Sequence, residues 1–208
     1  MGSKGRTPTL GGDYEATLAA ARRGDDDAWA AIYRDLAGPV LGYLRGQRAP
    51  EPEDILGEVF LQVVRDLDKF TGDEAGFRAW VFTITHRRLV DARRAGARRP
   101  AELVSSDALE VALPPASAEP DALERLSTEE VVHLLGRLTE PQRDVLLLRM
   151  VAALTTTEVA EVTGRNVEAV KALSKRGLAH LRDLLEVRGG STLHGVPPPD
   201  PVRARSRR

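Results

Sequence analysis

The sequence predicts an all-α protein made of two small helical domains joined by a flexible acidic linker. Apolar residues recur at intervals of three and four, and the alternation typical of a strand is missing. A segment rich in proline, alanine and acidic residues, 99–121, separates two regions that carry this helical pattern. The chain has 208 residues, so each domain lies near the lower size limit for an independent core.

Composition excludes several classes of protein. Hydrophobic residues make up 42% of the chain and charged residues 29%, which is typical of a folded globular protein rather than a disordered or fibrous one. The chain has no cysteine, so disulfides and cysteine-ligated zinc are excluded. Because residues 1–12 are polar and no apolar run approaches the ~20 residues of a membrane span, we expect a soluble cytoplasmic protein whose first residues are disordered.

The first predicted domain covers residues 13–98 and begins with two helices. The aspartates at 25–27 are typical of a helix N-cap, and we expect the helix that follows to kink or end at Pro39. Pro52 begins the second helix, since proline is favoured in a first turn. The apolar stripe of that helix leaves Phe60 to one side, so this ring is expected to be partly exposed, unless another helix of the same domain covers it.

A loop over residues 69–76 precedes a long helix that runs from Phe77 towards Arg94. At 100° per residue, the apolar side of this helix carries Phe77 and Trp80 and belongs in a core. The opposite side is polar and cationic, and suits phosphates and exposed bases as well as it suits plain solvation at a helix end. The residues of this opposite side are Thr83, His86, Arg87, Arg93 and Arg94.

The second predicted domain covers residues 122–188 and has the pattern of a helix-turn-helix. Three capping-box pairs each precede an apolar run: Ser127 with Glu130, Thr139 with Gln142, and Thr155 with Glu158. A turn is predicted at Gly164, followed by a helix that ends near residue 184. The predicted recognition helix carries residues suited to the major groove, although a plain helical hairpin with a basic face has the same pattern. These residues are Arg165, Asn166, Lys171, Ser174, Lys175 and Arg176.

Charge is strongly patterned along the chain. Residues 86–99 contain six arginines and one acid, and residues 165–182 contain five basic residues and one acid. Between them, residues 100–130 contain eight acids and one arginine. Two basic blocks with an acidic spacer favour two polyanion-binding surfaces, although either block alone could equally be a solvated helix face.

Catalytic and metal-binding signatures are missing from the sequence. The four histidines have no metal-ligand spacing, and there is neither a glycine-rich phosphate loop nor a nucleophile elbow. We therefore expect a protein that is not an enzyme and that has no catalytic residues, metal or cofactor. Residues 189–208 are rich in proline and arginine and are expected to be a disordered tail.

The order of the motifs resembles that of bacterial RNA polymerase sigma factors of the extracytoplasmic-function (ECF) type, in the sigma-70 superfamily. Residues 52–61 (PEDILGEVFL) resemble their polymerase-binding helix, and residues 77–84 (FRAWVFTI) with the arginines that follow resemble their promoter-melting helix. Residues 138–145 (LTEPQRDV) and 170–178 (VKALSKRGL) resemble their helix-turn-helix domain. The similarity covers about residues 25–98 and 122–185 in the expected order.

The resemblance implies a subunit that directs polymerase to promoters, with the first domain melting the minus-ten element and the second reading the minus-thirty-five element. Expected partners are the polymerase core, through its clamp helices and flap, and promoter DNA; an anti-sigma factor is a further partner that the resemblance allows. The loop residues Lys69 and Thr71 would join the melting surface. The polymerase-binding residues would be Asp54, Glu58, Phe60, Gln62 and Arg65.

Two alternatives stay open at this point, a protein-interaction adaptor with no DNA contact and a DNA-binding regulator. A stand-alone DNA-binding regulator of the helix-turn-helix class would use its N-terminal helices for dimerisation or sensing and would bind duplex without polymerase.

Overall fold

The computed structural model describes residues 13–96 and 128–191, and in these two ranges every regular element is a helix. The predicted linker, the first residues and the tail, at 1–12, 97–127 and 192–208, lie outside the described residues. The helices are α1 (Tyr14–Arg22), α2 (Asp26–Gly46), α3 (Pro52–Asp66), α4 (Glu74–Gly96), α5 (Thr128–Gly136), α6 (Glu140–Met150), α7 (Thr156–Thr163) and α8 (Val167–Ser191), with a short 3₁₀ helix at Leu67–Lys69.

Helices α1–α4 form the N-terminal bundle, whose core holds Ile32, Val59 and Phe82. The aspartate cap of α2 is confirmed, since the Asp25 carboxylate accepts from the Ala28 amide at 2.8 Å. Of the two outcomes expected at Pro39, a kink or an end, the end is wrong: α2 continues through Pro39 to Gly46. Proline cannot donate one backbone hydrogen bond of the helix. The neighbouring turns and the packing of α2 compensate for this loss.

The segment before α4 is shorter than predicted. Lys69 ends the 3₁₀ helix, and α4 already begins at Glu74, so the non-helical stretch covers only residues 70–73. The Asp73 carboxylate accepts from the Gly76 amide at 2.7 Å and so satisfies a free donor in the first turn of α4. This local cap was missed in the sequence, where two glycines suggested a longer loop.

Helices α5–α8 form the C-terminal bundle and contain the predicted helix-turn-helix. The capping boxes at Thr139 and Thr155 are both present, at the starts of α6 and α7. Gly164 ends α7 in the left-handed conformation at φ 66°, as the predicted turn requires. Val170 is fully buried below this turn. The third predicted cap, Ser127, lies outside the described residues.

The two bundles pack directly against each other. Helix α7 lies on α4, and α5 and α6 contact α2. A Cβ atom placed on Gly46 would lie 2.9 Å from the Leu147 side chain, so glycine permits this approach between α2 and α6. The buried side chains of the bundles consequently form one apolar cluster. Within 13–96 and 128–191, none of the helices is long and apolar enough to cross a membrane.

Candidate nucleic-acid interfaces

The N-terminal half of α8 presents a cationic face to solvent. Lys175 and Arg176 are exposed, and Lys171 is exposed beside Glu168, whose carboxylate it contacts at 2.8 Å. Ser174 is half-buried on the same side. Because a surface ion pair is worth little, the Lys171 ammonium can exchange Glu168 for a phosphate at small cost. The recognition face predicted from the sequence is therefore continuous and accessible.

The first two residues of this face, Arg165 and Asn166, also form hydrogen bonds within the chain. Arg165 is exposed directly after the glycine turn, and its amide donates to the Ala160 carbonyl at 2.9 Å. Asn166 uses its side-chain carbonyl to accept from the Ala169 amide at 2.7 Å, which caps α8. The Asn166 amide group is the part of this side chain that remains for a base or a phosphate.

A groove borders the recognition face. It has a volume of about 350 Å³ and is lined by Lys171 and Ser174 together with residues of α6. Two apolar side chains line it while remaining partly in water: Met150 is 45% exposed and Leu178 is 48% exposed. The C-terminal bundle thus offers an apolar strip beside its cationic helix.

The predicted cationic side of α4 is divided in two by tertiary packing. Arg87 and Arg94 are exposed, and Arg94 lies 3.7 Å from Asp91 on its own helix. His86 and Arg93 are half-buried against the C-terminal bundle, where Arg93 contacts Glu140. Thr83 is half-buried and donates to the Ala79 carbonyl at 2.8 Å. A plain solvated helix end, one of the two interpretations left open for this side of α4, does not describe His86 and Arg93.

Beside residues 70–73 lies a cavity of about 320 Å³ that α1 helps to form. The exposed Thr71 lines this cavity together with the half-buried Phe70, whose ring lies 5.2 Å from that of Trp80. Lys69 lies just outside and pairs with Asp66 at 2.6 Å. An aromatic ring in an open cavity provides a surface on which an unpaired base can stack.

Two residues of α1 fix this segment, and sequence reasoning missed both. Arg22 donates to the Phe70 carbonyl at 2.7 Å, and the Tyr14 hydroxyl donates to the Gly72 carbonyl at 3.3 Å. Burial raises the pKa of Tyr14 to about 12, so the hydroxyl stays protonated and able to donate. Since Tyr14 and Gly72 are 58 residues apart in sequence, no local pattern pointed to this contact.

The outer face of α3 carries the residues predicted to contact polymerase. Asp54, Glu58 and Arg65 are exposed, and Gln62 is half-buried. Arg88 of α4 reaches across to this face: its guanidinium donates to Gln62 at 2.9 Å and lies 3.3 Å from Glu58. Acidic and amide groups are therefore held in a row along one side of α3.

Of the two possibilities that the sequence left open for Phe60, the structure shows coverage by a second helix of the same bundle. This side chain is 8% exposed because the ring of Tyr33 from α2 covers it, with the ring centroids 4.7 Å apart. The exposed apolar groups of this face are instead Tyr33, Leu61 and Val64, at 51%, 66% and 53% exposure. Periodicity alone left open whether a neighbouring helix covers Phe60, and the packing of α2 decides it.

A buried ion pair lies under the N-terminal half of α4. Arg78 is 7% exposed, and its guanidinium lies 3.6 Å from the carboxylate of Asp35 on α2. Burial raises the pKa of Asp35 to about 6, and the charge of Arg78 opposes that rise. The pair ties α4 to α2 away from the cationic side of α4.

Among the described residues, no group of three or more histidine or acidic side chains is arranged to hold a metal ion. The candidate binding features are the cationic faces of α4 and α8, the cavity beside residues 70–73 and the outer face of α3. Each of them suits the binding of a macromolecule.

Two family models match the chain. The model for sigma-70 region 2 matches residues 31–99, which contain most of α2, α3 and α4. The model for sigma-70 region 4 matches residues 128–181, which contain α5–α7 and most of α8. The match to both regions, in this order, does not favour a stand-alone helix-turn-helix regulator.

Curated relatives and solved structures agree with these matches. The chain is 32% identical to the ECF RNA polymerase sigma factor ShbA of Streptomyces griseus, covering 70% of this chain and 78% of that protein. It is 30% identical to the ECF RNA polymerase sigma factor BldN of Streptomyces coelicolor, covering 79% of this chain and 63% of that protein.

The fold is similar to that of CnrH, solved in complex with the cytosolic domain of CnrY, with a TM-score of 0.58 and 24% identity over 83% of this chain and 96% of that one. It is also similar to the sigma factor RpoE of Bartonella quintana, solved in complex with the anti-sigma factor NepR. Here the TM-score is 0.55 and the identity 17%, over 83% of this chain and 93% of that one.

Proposed function

This chain belongs to the sigma-70 family and is an ECF sigma factor, a subunit that directs RNA polymerase to promoters; from that premise we propose how its surfaces divide the work. The N-terminal domain, 13–98, binds the polymerase core and the melted minus-ten element. The C-terminal domain, 122–188, reads the minus-thirty-five element as duplex. The observation that carries this division is that the accessible cationic face of α8 follows a left-handed glycine turn within the region 4 match.

The duplex surface consists of residues on α8 and in the turn before it. Lys171, Lys175 and Arg176 neutralise phosphates or read guanine edges, because cationic side chains on an inserted helix do both. The amide of Asn166 and the hydroxyl of Ser174 supply neutral hydrogen-bonding groups beside them. Arg165 lies at the start of the helix, where it reaches the phosphate backbone.

The melting surface combines α4 with the cavity next to it. Arg87 and Arg94 attract the separated strand from the start, and Thr83, His86 and Arg93 join them once that side of α4 is free. An unpaired base stacks on Phe70 in the cavity, with Thr71 and Lys69 at its edge. Unwound bases need such an aromatic and cationic platform, whereas duplex needs an inserted helix.

Polymerase docking uses the outer face of α3. The acids Asp54 and Glu58, with Gln62 and Arg65 beside them, offer polar groups to the clamp helices of the polymerase. Leu61 and Val64 take the part of apolar anchor that the sequence assigned to Phe60, because Phe60 is covered by Tyr33. The apolar groove at Met150 and Leu178 is the surface we assign to the polymerase flap.

An anti-sigma factor is a further proposed partner. A sigma factor of the same fold has been solved bound to the anti-sigma factor NepR. Such a protein would compete with polymerase for the apolar faces at Leu61 and Val64 or at Met150 and Leu178, since both faces are exposed in the free chain.

Charge reversal on α3 tests the docking assignment. The double variant Asp54→Arg with Glu58→Arg is expected to lose binding to core polymerase, because two acceptors for a basic partner become repulsive charges. Pull-down of purified core polymerase measures this. Glu15→Arg with Asp68→Arg is the matched control: it makes the same charge change at exposed sites of the N-terminal bundle and should bind normally. Equal recovery of polymerase by both variants contradicts the assignment.

A pre-melted promoter separates the two DNA surfaces. Reconstituted polymerase carrying Arg93→Ala with Arg94→Ala should open duplex promoter slowly and recover on a template mismatched across the minus-ten element. Polymerase carrying Lys171→Ala with Lys175→Ala should show no such recovery, because its defect lies in upstream duplex contact. Runoff transcription on the two templates measures both. An identical response of the two variants to pre-melting refutes the division of labour.

A further inference from the structure

The backbone of residues 70–73 is held by side chains of another helix. Arg22 of α1 donates to the Phe70 carbonyl at 2.7 Å, and the Tyr14 hydroxyl donates to the Gly72 carbonyl at 3.3 Å. Residues 70–73 are not helical, so their carbonyls take no part in a regular backbone ladder. The two bonds from α1 therefore favour one path for this stretch of backbone.

The orientation of the Phe70 ring depends on that path. The ring centroid lies 5.3 Å from that of Phe77 and 5.2 Å from that of Trp80, so two aromatic neighbours pack against Phe70. A Cβ atom on Gly72 would lie 2.9 Å from Phe70 Cζ, and glycine permits this close approach. A shift of the backbone at Gly72 would consequently move the ring or leave a gap beside it.

Helix α1 forms part of the same cavity. Tyr14 and Arg22 line it together with Phe70 and Thr71, and its volume is about 320 Å³. The Tyr14 ring lies 6.1 Å from that of Phe77, so it belongs to the aromatic cluster that supports Phe70. One helix thus supplies a wall of the cavity and also fixes the wall on which a base would stack.

The family match does not extend to this helix. Helix α1 ends at Arg22, whereas the region 2 family model matches residues 31–99. A base that stacks on Phe70 binds more weakly by the fraction of time in which the ring is out of place. By fixing the segment, α1 can strengthen the binding of a base that it does not itself contact.

We propose that Tyr14 and Arg22 are positioning residues of the melting surface: their bonds to the Gly72 and Phe70 carbonyls hold the Phe70 ring in the orientation on which one unpaired base stacks. The proposal rests on the base stacking proposed above for Phe70. It makes the contribution of one promoter base depend on a helix that precedes the region 2 match.

Promoters that lack single bases test this role. Reconstituted polymerase is bound to templates mismatched across the minus-ten element, in which each position of the separated strand in turn lacks its base. The half-life of each complex is measured after addition of competitor DNA. At the position that stacks on Phe70, loss of the base should shorten the half-life by about tenfold with the wild-type chain. Phe70→Leu should lower this ratio of half-lives.

Tyr14→Phe and Arg22→Gln should each lower the same ratio by about threefold or more, because each removes one hydrogen bond to the segment. Tyr14→Phe removes the hydroxyl and keeps the ring beside Phe77. On the template that lacks the stacking base, both variants should match the wild type. An equal loss on the intact and abasic templates would indicate a general defect or a contact with the DNA backbone, and it overturns the positioning role.

Arg23→Gln is the matched control for Arg22→Gln, because it makes the same charge change at the neighbouring exposed residue. The control should keep the wild-type ratio of half-lives. An equal fall of the ratio in the two variants would trace the effect to the charge of α1, and it too overturns the positioning role.

Combination with Phe70→Leu separates positioning from direct contact with the base. If Tyr14 and Arg22 act through the Phe70 ring, adding Tyr14→Phe or Arg22→Gln to Phe70→Leu should not shorten the half-life on the intact template further. A further loss shows that α1 contacts the base itself, and positioning is refuted.

Failure of the positioning role and failure of the base stacking are distinguishable. A wild-type ratio of half-lives in Phe70→Leu overturns the base stacking and, with it, the role of α1. A lowered ratio in Phe70→Leu, together with wild-type ratios in Tyr14→Phe and Arg22→Gln, overturns the positioning role alone.

Discussion

Helices α4 and α8 carry similar cationic sequences but meet different surroundings. On α8, the charged groups Lys171, Lys175 and Arg176 remain in water. On α4, Arg93 is held by Gln47 and Glu140 of two other segments, while Arg94, one residue on, is exposed. The comparison shows that a run of arginines in the sequence indicates a cationic helix face. It does not indicate whether that face is exposed to solvent. Access is decided by the bundle that packs against the helix.

The largest expected effect is a loss of duplex DNA binding when the exposed cationic residues of α8 are removed. The triple variant Lys171→Ala, Lys175→Ala and Arg176→Ala should bind duplex DNA far more weakly. The slope of its log affinity against log salt concentration should also be shallower by up to about 3 units, because each lost phosphate contact removes about 0.9 from the slope. Titrations of labelled duplex at several salt concentrations measure the slope. The control removes the same charge from exposed sites on the N-terminal bundle, through Arg23→Ala, Arg34→Ala and Arg65→Ala. Equal slopes for the two triple variants would show that the α8 face is no more a DNA surface than these three control sites are.

A smaller effect is expected at the turn that orients α8. Gly164→Ala should lower the free energy of unfolding by about 1–2 kcal/mol, because alanine is strained in the left-handed conformation found there. Gly57→Ala in α3 should instead raise stability by about 0.5–1 kcal/mol, because that site is helical and has open space for a methyl group. Urea unfolding of both variants gives the sign and size. If both substitutions changed the free energy of unfolding in the same direction, the left-handed conformation at Gly164 would not explain the effect of Gly164→Ala.

The last expected effect is a change of pH profile, caused by the burial of Asp35 beside Arg78 at the contact between α2 and α4. The folded chain holds the Asp35 proton up to a pKa of about 6, above the ordinary value of 3.8. The folded state therefore binds more protons than the unfolded state between these values, so this group's contribution to stability falls as pH rises through the window. Asp35→Asn should remove that fall, and the difference between wild type and variant should level off above pH 6.

Thermal unfolding at several pH values between 4 and 7 tests this last expectation, with Glu161→Gln as the control at an exposed carboxylate of α7. The control should run parallel to the wild type. A difference between wild type and Asp35→Asn that rises with pH would show that Arg78 dominates over burial, and that the pair holds α4 mainly by charge.

Local features were predictable from the sequence because their causes lie within a few residues. The caps at Asp25, Thr139 and Thr155 and the turn at Gly164 each depend on contacts over three or four positions. The order of these signals indicated the all-α class, whereas the ECF sigma family was indicated by the resemblance of the motifs at 52–61, 77–84, 138–145 and 170–178. The recognition face of α8 was also predictable, since the helical repeat alone places its cations on one side.

Tertiary structure alone decided which predicted surfaces are open. Tyr33 covers Phe60, Tyr14 and Arg22 fix residues 70–73, and Asp144 meets a tyrosine 101 residues away. Helical periodicity gives the direction in which a side chain points from the axis of its helix. Whether that side chain is buried depends on which other helix packs on that side. That choice follows from the summed packing of both bundles, to which residues far apart in the chain contribute. The exposure of the cationic side of α4 is therefore a property of the whole fold.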